Sequence, residues 1–278
     1  MAAGARRWGV GILLALPLLP VAAQRLSLPD RPADAPTGSA FASTIRDLPL
    51  DAREDQVRRE LERGNVPSWL RVLVPVTMLR THRGVESRVT FWAMPDYLAI
   101  GSDDDFFLMP VRPQLAQWLA DRTGMSLPTP AMVDAIWRAA PVKLGPDSIA
   151  PSAAMITVPV FAGHNRLVAA RRRADPHPMG TLTAGHKKDV VLTPRLDTLR
   201  NRVAIYGWHK PDGSPIQPLN TWHTTGHVDY SHGVRLVARP MVVDGEEHDL
   251  LALLRDSARV GLVSDEGAMR TGRFPIPE

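Results

Sequence analysis

The apolar periodicity of this chain changes character at Gly180, and that change limits the folds open to it. Upstream, helical patterns stand among a few β-rich runs; downstream, short strand-like runs are separated by turn sequences. The run DAREDQVRRELERG, starting at Asp51, places acids early, arginines late and Gly64 as a stop, which predicts a helix with Asp51 as N-cap. Arg112 to Gly124 spaces Leu115, Trp118 and Leu119 along one helical face, and TPAMVDAIWRAA repeats the device with Thr129 as N-cap and Pro130 in the first turn. PVFAGHNRLVAARRR predicts a third helix and EEHDLLALLRD a closing one. WLRVLVPVTMLR, SRVTFWAMPDYLAIG, GTLTAGHKKDVVLTP, RVAIYGWH, PIQPL and VDYSHGVRLVARPMVVDG read as strands, with KPDG a turn between the fourth and fifth. Helices and strands mixed without strict alternation, and without an internal repeat, predict an α+β fold. We expect a single domain with a strand-rich C-terminal half and a helical pair in the middle.

The first residues read as an address. Arg6 and Arg7 precede the apolar run GVGILLALPLLPVA, and VAA then offers small residues for cleavage before Gln24. The expectation is a signal peptide over residues 1–23, a flexible leader over 24–48 rich in Pro, Ala, Ser and Gly, and a folded domain over 49–278. Pro17 and Pro20 break an apolar stretch that is already short for a membrane span, so no transmembrane anchor is expected after processing. The mature protein would then be periplasmic or extracellular.

Composition removes several chemistries. The chain has no cysteine among 278 residues, which excludes disulfides, thiolate metal sites and cysteine nucleophiles. Apolar residues make up 44% and charged residues 22%, a balance that supports a sizeable core without cross-links. The net charge is +4, but Arg6, Arg7 and Arg25 lie outside the expected domain and the densest basic run is only Ala170 to Arg173. Nucleic acid is therefore not an expected partner.

Five of the nine histidines fall between His186 and His232, beside Asp189 and Asp229. In an extended strand alternate residues share a face, so His227, Asp229 and Ser231 would point one way, and Tyr230 and His232 the other. His186 and Lys188 would likewise oppose Lys187 and Asp189. Three readings stay open. A zinc-like divalent metal would be held by His223, His227, Asp229 and His232 and would activate water. Metal-free chemistry would use His232 or His227 as general base, Asp229 as orienting partner, Ser231 as nucleophile and Lys188 or Arg235 as oxyanion stabiliser. The third reading is a polar strand edge that binds nothing. Under either chemical reading His186, Asp189, His209, Asp229 and His232 should converge.

The run GSDDDFF sets three acids, Asp103, Asp104 and Asp105, at a strand end, where a cation or Lys187 and Lys188 would compensate them across a cleft. Trp208 and Trp222 adjoin His209 and His223 and suit stacking on sugar rings. Tyr206, Tyr230 and Gln217, the last held extended between Pro215 and Pro218, complete the expected substrate-binding set.

The segment SHGVRL resembles the SHGC(I/V)R signature of the YkuD-type L,D-transpeptidases, and IYGWH echoes the HG element that precedes it in that family. Here Val234 stands where the signature has its cysteine, and Arg235 follows Gly233 one residue too early. Cysteine-dependent transpeptidation is thereby ruled out, and only kinship of fold is implied. The runs GSDDDF, AGHKKDVVLT, YGWH and VDYSHGVRLV together resemble an uncharacterised family of secreted proteins. Taken with the histidines, the expectation is an exported hydrolase or transferase acting through a polar cleft on an extracellular or cell-wall polymer such as peptidoglycan or polysaccharide. The alternative is a secreted binding protein that uses the same cleft without turnover.

Overall fold

In the computed structural model, which describes residues 24–276, the segment expected as a flexible leader is packed against the domain. Leu26 N donates to Arg71 O at 2.8 Å and Leu73 N to Gln24 O at 2.9 Å, tying the first described residues to the chain some 45 positions on. Helix α1 (Gly38–Thr44) follows, its first turn capped by the Thr37 hydroxyl, and it buries Phe41 and Ala42. The segment lacks periodicity because its apolar residues are separated by prolines, yet Leu26, Phe41 and Ile45 each reach the core. Helix α2 (Leu50–Glu62) forms as expected, except that Pro49 takes the N-cap position and Asp51 lies inside the first turn. The expected signal peptide lies outside the described residues.

Strands β1 (Val74–His82) and β2 (Val85–Ala93) make a hairpin in register from Val74↔Ala93 to His82↔Val85. Arg83 and Gly84 turn it with φ of 51° and 79°, the paired left-handed conformations of a two-residue hairpin loop. A small hairpin of β3 (Ala99–Gly101) and β4 (Phe106–Leu108) leads to α3 (Pro113–Thr123), which Gly124 ends at φ 67°. After β5 (Met125–Ser126), helix α4 (Pro130–Ala139) starts under the Thr129 hydroxyl, which accepts from Met132 N at 3.3 Å. Strand β6 (Val142–Lys143) and the long helix α5 (Val158–Ala174) complete the first half.

The second half is short strands: β7 (Thr183–Ala184), β8 (Lys188–Val190), β9 (Ile205–His209), β10 (Pro215–Asn220), β11 (His232–Gly233), β12 (Val237–Ala238), β13 (Pro240–Val243) and β14 (Glu246–Asp249). The closing helix α6 is shorter than expected, Leu250–Arg255. Asp244 and Gly245, at φ 52° and 93°, fold Glu246–Asp249 back on β13 as a strand, and Asp249 then caps the helix by accepting from Ala252 N. The Asp-Gly pair was the sequence signal for this hairpin.

One sheet runs β14-β13-β2-β12-β5, with β1 also paired to β2. A second runs β10-β9-β8-β11, antiparallel except for the parallel pair β8/β11. Among the described residues, six helices with mostly antiparallel strands make a single-domain α+β fold, as expected. Among the described residues no helix is long and apolar enough to cross a membrane.

Candidate functional site

The second sheet brings sequence-distant polar residues into register. Strand β8 pairs Lys188 with His232 and Asp189 with Gly233 on one side, and Lys188 with Gly207 and Asp189 with Tyr206 on the other. The chain before β11 is not a strand. Asp229 Oδ1 accepts from Ser231 N at 2.7 Å and from Ser231 Oγ at 2.5 Å, while His232 N donates to Asp229 O at 3.1 Å. An aspartate that hydrogen-bonds its own backbone two residues on makes a turn, and the turn cancels the expected alternation of faces. Asp229 and His232 therefore meet: Asp229 Oδ2 lies 3.8 Å from His232 Nε2 and 3.4 Å from His227 Nε2. His223 stacks flat on His227, with ring centroids 4.1 Å apart and planes at 9°; the His232 ring lies 5.9 Å from that of His227.

Electrostatics divide these groups into buried and reachable. Burial disfavours the Asp229 charge, but His232, the Ser231 hydroxyl and the Lys188 ammonium outweigh it and hold the carboxyl well below the usual range. Burial takes His232 down to about 4 although Asp229 pulls the other way, so this ring is neutral near pH 7. His223 is also lowered, by burial and then by His227. The His232 side chain is 1% exposed and that of His227 is 36% exposed, and His223 is half-buried, so solvent reaches His227 and His223, of which His227 lies against Asp229. Ser231 is fully buried with its hydroxyl directed at Asp229, which removes it as a nucleophile. Lys188 sits 4.9 Å over the Trp208 ring, at the edge of the same cluster.

The four candidate metal ligands thus come together, but not as a metal centre. Among the described residues no group of three or more His, Cys, Asp or Glu side chains is placed to hold an ion. Two of the imidazoles stack face to face rather than converging their nitrogens on a point, and Lys188 already supplies a cation to Asp229.

The expected convergence of five residues does not form; the polar residues segregate into neighbouring clusters. His186 Nε2 lies 3.2 Å from Asp96, and its ring packs edge-on to Tyr97. Tyr97 Oη donates to Asp189 at 2.7 Å, and Arg235 lies over the Tyr97 ring. Burial pushes Asp189 up to about 6 against the pull of Arg235. Arg235 is fully buried and donates to Met94 O and Thr183 O at 2.7 and 2.6 Å, so it ties strands together and is no oxyanion stabiliser. His186 and Asp189 are equally sealed. Lys187 points into another buried cluster, donating to Tyr230 O, with Nζ 3.3 Å from His164 Nδ1. Burial lowers its ammonium to about 7 despite Asp229 and Asp96. His209 pairs with Asp134 at 2.9 Å, as does the Tyr206 hydroxyl, and stacks on Trp137.

The triple acid lines no cleft with the lysines. Asp103 caps the turn at Ser68, accepting from its N and Oγ at 2.6 Å, and Asp105 accepts from Ser39 N and Oγ at the start of α1. Asp104 offers its carbonyl to Arg173. Acids beside a helix start satisfy backbone donors, which the sequence pattern alone did not reveal. Trp208 is buried, Gln217 donates to the neighbouring Pro218 carbonyl, Tyr230 packs against His164, and Trp222 is 82% exposed. Sequence reasoning missed Asp96, Tyr97, Asp134 and His164. Only Asp134 carried a signal, as a lone carboxylate within the apolar helix PAMVDAIW.

The loop that carries His227 separates two clefts. Its neighbours Gly226 and Val228 line one of about 440 Å³ with Arg53 and Ile156, and Thr225 lines another of about 630 Å³ with Arg202 and Phe274. No family model, curated protein or solved structure matches this chain.

Proposed function

We propose that this protein is an exported hydrolase or transferase that acts on an extracellular or cell-wall polymer, with His227 as general base and Asp229 as its orienting partner. A single relationship carries the reading: the Nε2 of a part-exposed imidazole lies 3.4 Å from a buried carboxylate held in its charged form. With Nε2 turned to Asp229, Nδ1 is the nitrogen left to take a proton from water or an acceptor hydroxyl. The deprotonated oxygen attacks the scissile carbon, and the proton returns to the leaving group. Lys188 stands nearby to stabilise the developing negative charge. His223 stacks on the base and fixes its plane. Export follows from the order of charge, apolar run and small residues in the first 23 positions. The test is turnover of peptidoglycan and of neutral and acidic polysaccharides by the wild type, His227→Ala and Asp229→Asn. Loss of turnover in both variants with an unchanged melting curve supports the reading, and unchanged turnover in His227→Ala defeats it.

The exposed Trp222, beside His223 in sequence, favours a second reading: a secreted protein that holds the same polymer by stacking, without turnover. Binding that is lost in Trp222→Ala, in a protein that turns over no polymer, would select it.

A further inference from the structure

Arg53 sits in α2 in a run that reads as surface charge, yet it is 5% exposed. Its Nη1 donates to Ile156 O at 3.1 Å and its guanidinium lies 5.1 Å over the Phe161 ring, while the buried Nε–H finds no acceptor among the described residues. The adjacent acid does not neutralise it. Glu54 turns to Arg112, accepting from its N at 2.6 Å with Oε2 3.3 Å from its Nε. Burial lowers the Arg53 pKa, Glu54 offsets this in part, and Arg112 adds to the lowering. An arginine still keeps its charge under these conditions. A buried cation with an unused donor is costly unless something else supplies the partner.

The cleft that Arg53 lines shows where that partner would come from. Gly226 and Val228, on either side of His227, form part of its wall, and Leu48, Ile156 and Pro159 make much of the remainder apolar. We infer that this cleft is an anion subsite in which Arg53 takes a carboxylate carried by the polymer, next to the bond presented to His227; this rests on the reading of His227 as the reacting base. A planar guanidinium with a free side-on edge matches a planar carboxylate in two parallel hydrogen bonds. The apolar walls suit the small acyl or sugar body behind such a carboxylate. Arg46 and Asp47, an exposed pair 3.9 Å apart on the same lining, offset each other and leave the choice between a carboxylate and a tetrahedral phosphate to the planar fork of Arg53. Two parts of a cell-wall or extracellular polymer offer this chemistry, the free terminus of a peptide and the acid group of a uronate sugar.

The experiment follows the backbone amide resonances of Gly226 and Val228 in the full chain during titration. N-acetylalanine and glucuronate represent the two carboxylate sources, N-acetylalaninamide is the neutral control, and inorganic phosphate is the dianion. Saturable shifts with one or both acids, at least tenfold weaker with the amide and with phosphate, are expected. The acid that gives the shift names the source. Arg53→Lys keeps the charge but loses the fork, and it should weaken the response at least tenfold in a protein that still melts cooperatively. Equal response to acid and amide, a phosphate response as strong as that of either acid, or an unchanged response in folded Arg53→Lys would overturn the inference. Should Arg53→Lys fail to fold, the acid and amide titrations of the wild type decide alone. His227→Ala should keep the acid response. If it keeps both that response and full turnover of polymer, the base assignment fails while the anion subsite stands.

Discussion

Gly233 and Tyr97 are packed so closely that a Cβ at residue 233 would lie 2.5 Å from Tyr97 Cδ1 and 2.8 Å from Lys187 Cβ. The glycine in SHG therefore admits an aromatic ring of the domain core, not a substrate. This contact holds β11 against the segment that carries Tyr97 and its bond to Asp189. Gly233→Ala should lower stability by about 1–3 kcal/mol through overpacking, since both neighbours are buried and cannot swing away. Chemical denaturation checks it, and a midpoint within error of the wild type would show that the ring and β11 can separate at no cost.

The part-exposed His227 and the sealed His232 should behave differently on truncation. His227→Ala should reduce turnover by roughly 10²-fold or more with little change in stability, as expected for a lost general base. His232→Ala empties a buried ring's space beside Asp229 and should cost about 2–5 kcal/mol in stability, the range for large-to-small changes in a core. Melting curves and polymer turnover measured on the same two preparations test this, and a reversed pattern would move the base to His232.

Acid sensitivity has a sign that follows from His232. Its pKa is depressed in the fold, so between pH 6.5 and about 4 the unfolded chain binds a proton that the folded chain does not. Stability then falls as pH falls through this window, by about 1.4 kcal/mol per pH unit for this one group. His232→Asn should flatten the dependence of the urea midpoint on pH by that slope, while above pH 7 the two proteins should run parallel. Curves that stay parallel down to pH 4 would show that the ring is protonated in the fold.

Asp105→Ala should cost about 0.5–2 kcal/mol, the range for losing a helix cap, because Ser39 N and Oγ lose their acceptor at the start of α1. Polymer turnover should not change. A kinetic defect without a stability loss would return the acidic run to the substrate site.

The features legible in the sequence are those set by neighbours within a turn or two. Thr129 and Gly124 bound their helices where expected, and KPDG turns β9 into β10, because caps and tight turns are settled by hydrogen bonds and φ angles a few residues apart. The α+β class followed from the same local periods. Local reading also failed where a local rule was overlooked: Asp244-Gly245 makes a hairpin where a longer helix was expected, and Asp229 bends its own backbone where a strand was expected.

The amino-acid sequence by itself determined the inventory of this protein: no cysteine, a crowd of histidines beside acids, and the helices and hairpins that carry them. Only the tertiary structure decided which acid each histidine faces. His209 meets Asp134, His186 meets Asp96 and His227 meets Asp229, and the first two of these pairs join separate elements. The same holds for burial, since Arg53 reads as a solvated helix charge and becomes a sealed cation only when α5 brings Phe161 beneath it. A side chain's partner and its access to water depend on contacts between residues far apart in the chain, and those distances are set by sheet register and helix packing, not by spacing along the sequence.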